Sequence, residues 1–279
     1  MLRYAVMAVG ALALGTSSCA LAQETGWTIS PSDKADRVQL QLERSRPGHT
    51  NSNSFGIAPD SLQGLDMRTD GAVHFTLRRE AGRLDCDGVM RARRGTGTCR
   101  FAADPAFADA LVRHGIARPD EDQSFMLTAL DAHIATVDAL GHFGYPRPTL
   151  DQVLALTIHG ASADWLQGLA SAGQRGITID DLIAYRIHGV TAAWLHGLTA
   201  ADRALGNERG GAVIAMRIHG VSPAWVQGLA DAGYRDLPAG DLINMRIHGV
   251  TPEFARAAAA MGGRPSAGEL VTRRIMGRH

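Results

Sequence analysis

Two hydrophobic periods divide the chain. Residues 38–42 (VQLQL) and 73–77 (VHFTL) alternate apolar with polar positions, the period of a strand with one buried and one wet face. Residues 83–90 and 95–102 are also strand-like, separated by the turn candidate Arg91-Ala92-Arg93-Arg94. Residues 47–59, dense in Gly, Pro, Ser and Asn, are expected as a long exposed loop. From Ser124 onward the apolar spacing becomes that of helices. The expected fold is therefore α+β. A small antiparallel β domain occupies residues 23–115, closed by a short helix at 107–114. A linker at 116–123 leads to an α-solenoid-like array of helical-hairpin repeats over 124–279.

The array is legible because it repeats. Ile-His-Gly recurs at Ile158, Ile187, Ile218 and Ile247, and a degenerate copy, Ile275-Met276-Gly277, follows. Self-similarity at about 30 residues means stacked supersecondary units that bury their faces against one another. In one unit, Thr178 and Asp181 make a capping-box-like start, and Leu182, Ile183 and Ile187 are expected as the apolar stripe. Gly189 suits the left-handed residue that ends a helix, and Thr191 caps the next. Thr149-x-x-Gln152 and Ser266-x-x-Glu269 are capping boxes, and Ser222-Pro223 and Thr251-Pro252 join a cap to a first-turn proline. Gly173, Gly233 and Gly262 fall where second helices should stop. Residues 207–211 (NERGG) lack a cap and are expected to be the loosest joint. A degenerate leading copy is expected near Phe125, aligning His133-Ile134 with Trp165-Leu166.

Composition adds the compartment. Arg3, the short apolar run 4–14 and Ala20-Leu21-Ala22 read as a secretory signal over residues 1–22, cleaved before Gln23. A lipoprotein reading needs Cys19, but Thr16 stands where a lipobox normally has leucine. No other segment is apolar enough to cross a membrane, so the mature protein is expected in the periplasm or outside the cell. There Cys86 and Cys99 form an even pair. In a hairpin centred on residues 91–94 they face each other, which makes a disulfide staple the expected role. Net charge is formally zero, so no overall field draws the protein to nucleic acid. Lys34 is the only lysine among 28 basic residues.

The string Arg246-Ile247-His248-Gly249-Val250-Thr251-Pro252-Glu253-Phe254 resembles a repeat of uncharacterised secreted bacterial proteins. The same repeat occurs in extracytoplasmic regions of some BlaR1-like, M56-type membrane peptidases. Leu62-Gln63-Gly64-Leu65, residues 73–77 and Cys86-Asp87-Gly88 resemble its usual β partner. Those peptidases carry His-Glu-x-x-His on a membrane helix, and this sequence has neither. What the resemblance implies is an accessory role, an exported module that senses or binds.

Candidate chemistry concentrates on the repeat. His159, His188, His219 and His248 end their helices and are expected to serve the turn. A ligand-binding ladder is the alternative, and a shared metal is disfavoured because stacked helices lie about 10 Å apart. Arg186, Arg217 and Arg246, with Arg274 at the last copy, are expected either to pair with acids such as Asp164 or Glu253 or to line a groove for carboxylates or phosphates. Trp165, Trp194 and Trp225, replaced by Phe254, are expected as inter-repeat core. Arg78, Arg79, Arg83, Arg91, Arg93 and Arg94 give the β domain a basic strip. No Gly-x-Ser-x-Gly, Walker loop, His-Glu-x-x-His or dinucleotide fingerprint is present. Ser52 and Ser54 near His49 lack an evident acid. The expected function is an exported non-catalytic module that binds a protein or peptide in the envelope through its repeat surface, with no cofactor or metal. The alternatives are a hydrolase of an envelope or extracellular polymer, and a structural envelope protein that binds anionic glycan or lipid.

Overall fold

The computed structural model describes residues 25–46, 49–261 and 263–277. The expected signal segment, Cys19 and Gly262 lie outside them. The fold is α+β, an antiparallel sheet followed by a helical array.

The sheet has seven strands: β1 (Thr25–Pro31), β2 (Val38–Arg46), β3 (His49–Ile57), β4 (Leu62–Gln63), β5 (Gly71–Arg79), β6 (Gly82–Arg91) and β7 (Arg94–Ala103). Their spatial order is β3-β2-β1-β7-β6-β5-β4. The alternating positions do what their period demands. Val38, Leu40 and Leu42 from β2 and Phe75 and Leu77 from β5 bury on one face, with Trp27 and Ile29 from β1. Trp27 meets Phe75 edge-on at 5.0 Å between ring centroids, and its indole donates to the Asp87 carbonyl at 3.1 Å. Gly95 and Gly97 make room for that ring: a Cβ on either would lie within 3.0 Å of the indole.

Cys86 and Cys99 face each other in the β6–β7 register, their Cα atoms 4.0 Å apart, and form a disulfide. Ala92 and Arg93 turn this hairpin with φ of 49° and 63°, the left-handed pair that matches strand twist. The expected loop at 47–59 is instead largely a strand. β3 pairs with β2 along its length, burying Ile57 and half-burying Phe55, while Ser52 and Ser54 stay outside. Its inward positions carry few large apolar residues, so composition hid the alternation.

Two further expectations need correction. The linker at 116–123 contains buried Ile116 and the start of a helix. After α1 (Pro105–Arg113), α2 (Glu121–Ala129) opens with a capping box at Asp120 and Gln123 and lies on β6 and β7. Its Phe125 packs edge-on against Phe101 and beneath the Arg44 guanidinium, which pairs with Glu121 and Asp122. Thus α2 belongs both to the sheet core and to the first repeat. The leading repeat is also out of register with the expectation. His133 is the N-cap of α3 (Ile134–His142) and matches Ser162, which places Asp131 (φ 64°) where the next repeat has Gly160 (φ 68°).

The array continues as the pairs α4 (Leu150–Ile158) and α5 (Ala163–Ser171), α6 (Ile179–Ile187) and α7 (Ala192–Ala201), α8 (Gly211–Ile218) and α9 (Pro223–Asp231), and α10 (Ala239–Ile247) and α11 (Pro252–Ala260). Helix α12 (Ala267–Ile275) closes it. Even-numbered helices stack in one layer and odd-numbered ones from α3 in the other, around one continuous apolar core. The caps at Thr149, Thr178, Thr191, Ser222, Thr251 and Ser266 all form.

The NERGG segment is not loose. Gly210 starts α8 without a side-chain cap, but its N–H donates to the Tyr185 hydroxyl at 2.9 Å. That hydroxyl donates to Gln174 Oε1 at 2.8 Å, Gln174 Nε2 donates to the Glu208 carbonyl at 2.9 Å, and the Tyr145 hydroxyl donates to the Gln174 carbonyl at 2.6 Å. Gln174 is 1% exposed. A buried, satisfied polar network replaces the missing cap.

Candidate interaction surface

The Ile-His-Gly recurrence becomes a geometric object at the end of each first-layer helix. In the unit around α6, the N–H of Gly189 bonds the Arg186 carbonyl and that of Val190 bonds the Tyr185 carbonyl. This paired closure, with the glycine at positive φ, is the Schellman motif. It recurs at Gly160/Ala161, Gly220/Val221 and Gly249/Val250. The buried partners of the closure are Leu156, Tyr185, Met216 and Met245, all at 1% exposure or less.

The isoleucine stands two residues later, about 200° around the helix, and so points away from the core. Ile187, expected within the buried stripe, is 54% exposed, and Ile158, Ile218 and Ile247 are 55–56% exposed. Ile275 continues the row at 63%. The four histidines are the helix C-caps and lie on the surface beside these side chains. Among the described residues, none of the four imidazoles has a hydrogen-bond or ion-pair partner. No group of three or more His, Cys, Asp or Glu gathers there.

The arginines clasp one repeat to the next. Arg186 Nε donates to the His159 carbonyl at 2.8 Å, Arg217 Nε to the His188 carbonyl at 3.2 Å, and Arg246 Nε to the Gly220 carbonyl at 3.0 Å. Each guanidinium also lies over the aromatic ring of the preceding repeat. The distances are 5.3 Å for Arg186 on Trp165, 5.4 Å for Arg217 on Trp194, 5.6 Å for Arg246 on Trp225 and 5.4 Å for Arg274 on Phe254. The tryptophans answer in the opposite direction. Their indole N–H groups donate to the carbonyls of Val190, Val221 and Val250 at 3.1–3.2 Å. Trp194 and Trp225 are buried and Trp165 is half-buried. Among the described residues none of the four arginines pairs with a carboxylate, Asp164 and Glu253 included. Thr157, at the first copy, instead donates to the Val153 carbonyl of its own helix.

The remaining candidates are dispersed. Ser52 and Ser54 accept from Gln41 and Gln39 on the outer face of the sheet, and the His49 side chain lies outside the described ones. Within the basic strip Arg79 pairs with Asp131 and Arg83 with Asp85. Sequence reasoning found the arginines and histidines but missed the isoleucines, which carry the apolar part of the surface. The signal was present in their spacing, two residues past the buried position of each repeat. No family model matches the chain, and no curated protein or solved structure is detectably similar to it.

Proposed function

We propose that the protein is an exported, non-catalytic module that binds a protein or peptide along the isoleucine edge of its array. One observation carries this reading. In the four copies from α4 to α10 the buried position varies among Leu156, Tyr185, Met216 and Met245, while the isoleucine two residues on is the same in all four and is held half in water. Packing cannot account for constancy at an exposed site, whereas a periodic partner can.

The edge offers an apolar rung per repeat, flanked by an imidazole and a stacked guanidinium. It suits an extended or helical segment that alternates apolar with acidic side chains. The clasp holds each guanidinium in place before binding, so little side-chain entropy remains to be lost. The resemblance of residues 246–254 to the repeat of secreted bacterial proteins supports the same accessory role.

Peptide display on the mature chain tests the proposal. Selected peptides should be rich in apolar and acidic residues. They should lose at least tenfold in affinity for the variant Ile158→Asn/Ile187→Asn/Ile218→Asn/Ile247→Asn, whose melting temperature stays near wild type. Unchanged affinity in that variant would refute the edge as the binding surface.

A further inference from the structure

A cavity of about 440 Å³ lies where the sheet meets the first two steps of the array. Its walls come from six places in the chain: β2, β3, the turn after them, β5, the end of α2 and the end of α4. Phe55, Leu130 and Ile158 give it its accessible apolar surface, while Leu40, Ile57, Leu77 and Ala129 behind them are buried in the core.

Two guanidinium groups, Arg37 and Arg79, share this lining with one carboxylate, Asp131. Asp131 is already engaged by Arg79 Nη1. Among the described residues Arg79 Nε is buried with no hydrogen-bond partner, and Arg37 spends one Nη on the Gly56 carbonyl at 2.7 Å and places Nε 4.0 Å from Asp36. The cavity therefore joins partly exposed apolar side chains to two guanidinium groups that retain N–H donors beyond their protein partners. Guanidinium donors favour an anionic acceptor over a neutral one because charge-assisted bonds are stronger, and a cationic ligand would add repulsion.

We infer that this cavity binds an aliphatic carboxylate, with the alkyl chain against Phe55, Leu130 and Ile158 and the carboxylate against Arg37 and Arg79. The volume is in the range of small-ligand sites, and guanidinium is the natural partner of a carboxylate. The site is separate from the Ile187–Ile247 stretch of the array edge and shares only Ile158 with it.

Calorimetric titration of the full mature chain with decanoate, decanol and decylamine, each below its aggregation concentration, tests the assignment. Decanoate should bind saturably at one per chain, and the other two at least tenfold more weakly. Arg37→Gln, at an exposed position, should weaken decanoate about tenfold, and Leu130→Trp should abolish binding by filling the space. Ile187→Asn should leave it unchanged. Equal binding of the three ligands, full affinity in Leu130→Trp, or no saturable binding of decanoate would each overturn the inference.

Discussion

In the sheet, the recurring apolar positions are the buried ones. Val38, Leu40 and Leu42 alternate along β2 and all three vanish beneath the domain. In the array, the isoleucine that recurs in every copy from α4 on is left in water, and the buried site beside it drifts among Leu, Tyr and Met. The two regions also hold together over different ranges. Trp27 bonds a carbonyl 60 positions away, so the sheet is assembled by non-local pairing and pinned by a disulfide. Each array clasp reaches only the neighbouring repeat, the stability pattern of a solenoid. Recurrence thus reports burial in the sheet, and in the array it marks the outward isoleucines as well as the buried tryptophans Trp194 and Trp225.

The largest expected effect breaks the array without touching the sheet. Trp194→Ala removes a buried ring, its bond to the Val221 carbonyl and the platform beneath Arg217. It should cost about 3–5 kcal/mol in denaturant unfolding. The Cys86–Cys99 region should remain protected in hydrogen exchange.

The disulfide supplies the reciprocal case. Cys86→Ala/Cys99→Ala opens a loop of 13-residue separation and should cost about 3 kcal/mol, confined to the sheet and α2. If the array melts equally early in that variant, the two regions unfold as one unit.

Alkaline pH should separate them again. Among the described residues every tyrosine lies in the array. Burial pushes the Tyr145 hydroxyl up to about 12, with Arg175 opposing, and burial raises Tyr185 further. Unfolded tyrosine ionises near 10, so the array's stability is intact below pH 10 and falls as pH rises through about 12. Phenolate absorbance should appear together with loss of array structure. Ionisation near pH 10 with the array intact would contradict the buried network.

Arg217→Ala should be milder, at about 1–2 kcal/mol, for a carbonyl bond and a partly exposed cation–π contact. Arg217→Lys should not restore it, because an ammonium cannot stack and bond in the same plane.

The β6–β7 hairpin and its cysteine pairing were legible in the sequence because a tight turn forces the register. The helical repeats were legible because caps and glycines have local signatures. The strand β3 was not, because its inward positions include few large apolar residues. The joint at residues 207–211 was misread because Tyr185 and Gln174, which tie it down, are distant in sequence. For the surface, residue type drew attention to histidine and arginine. Only the angular offset from Tyr185 shows that Ile187 points outward.

The most direct test is hydrogen-exchange protection of the mature chain with and without a selected peptide. Protection should rise at the helix ends carrying Ile158, Ile187, Ile218 and Ile247, in steps along successive repeats, and leave β5 to β7 unchanged. Protection at the arginine strip of β5 to β7, with the isoleucine edge unaffected, would contradict the account.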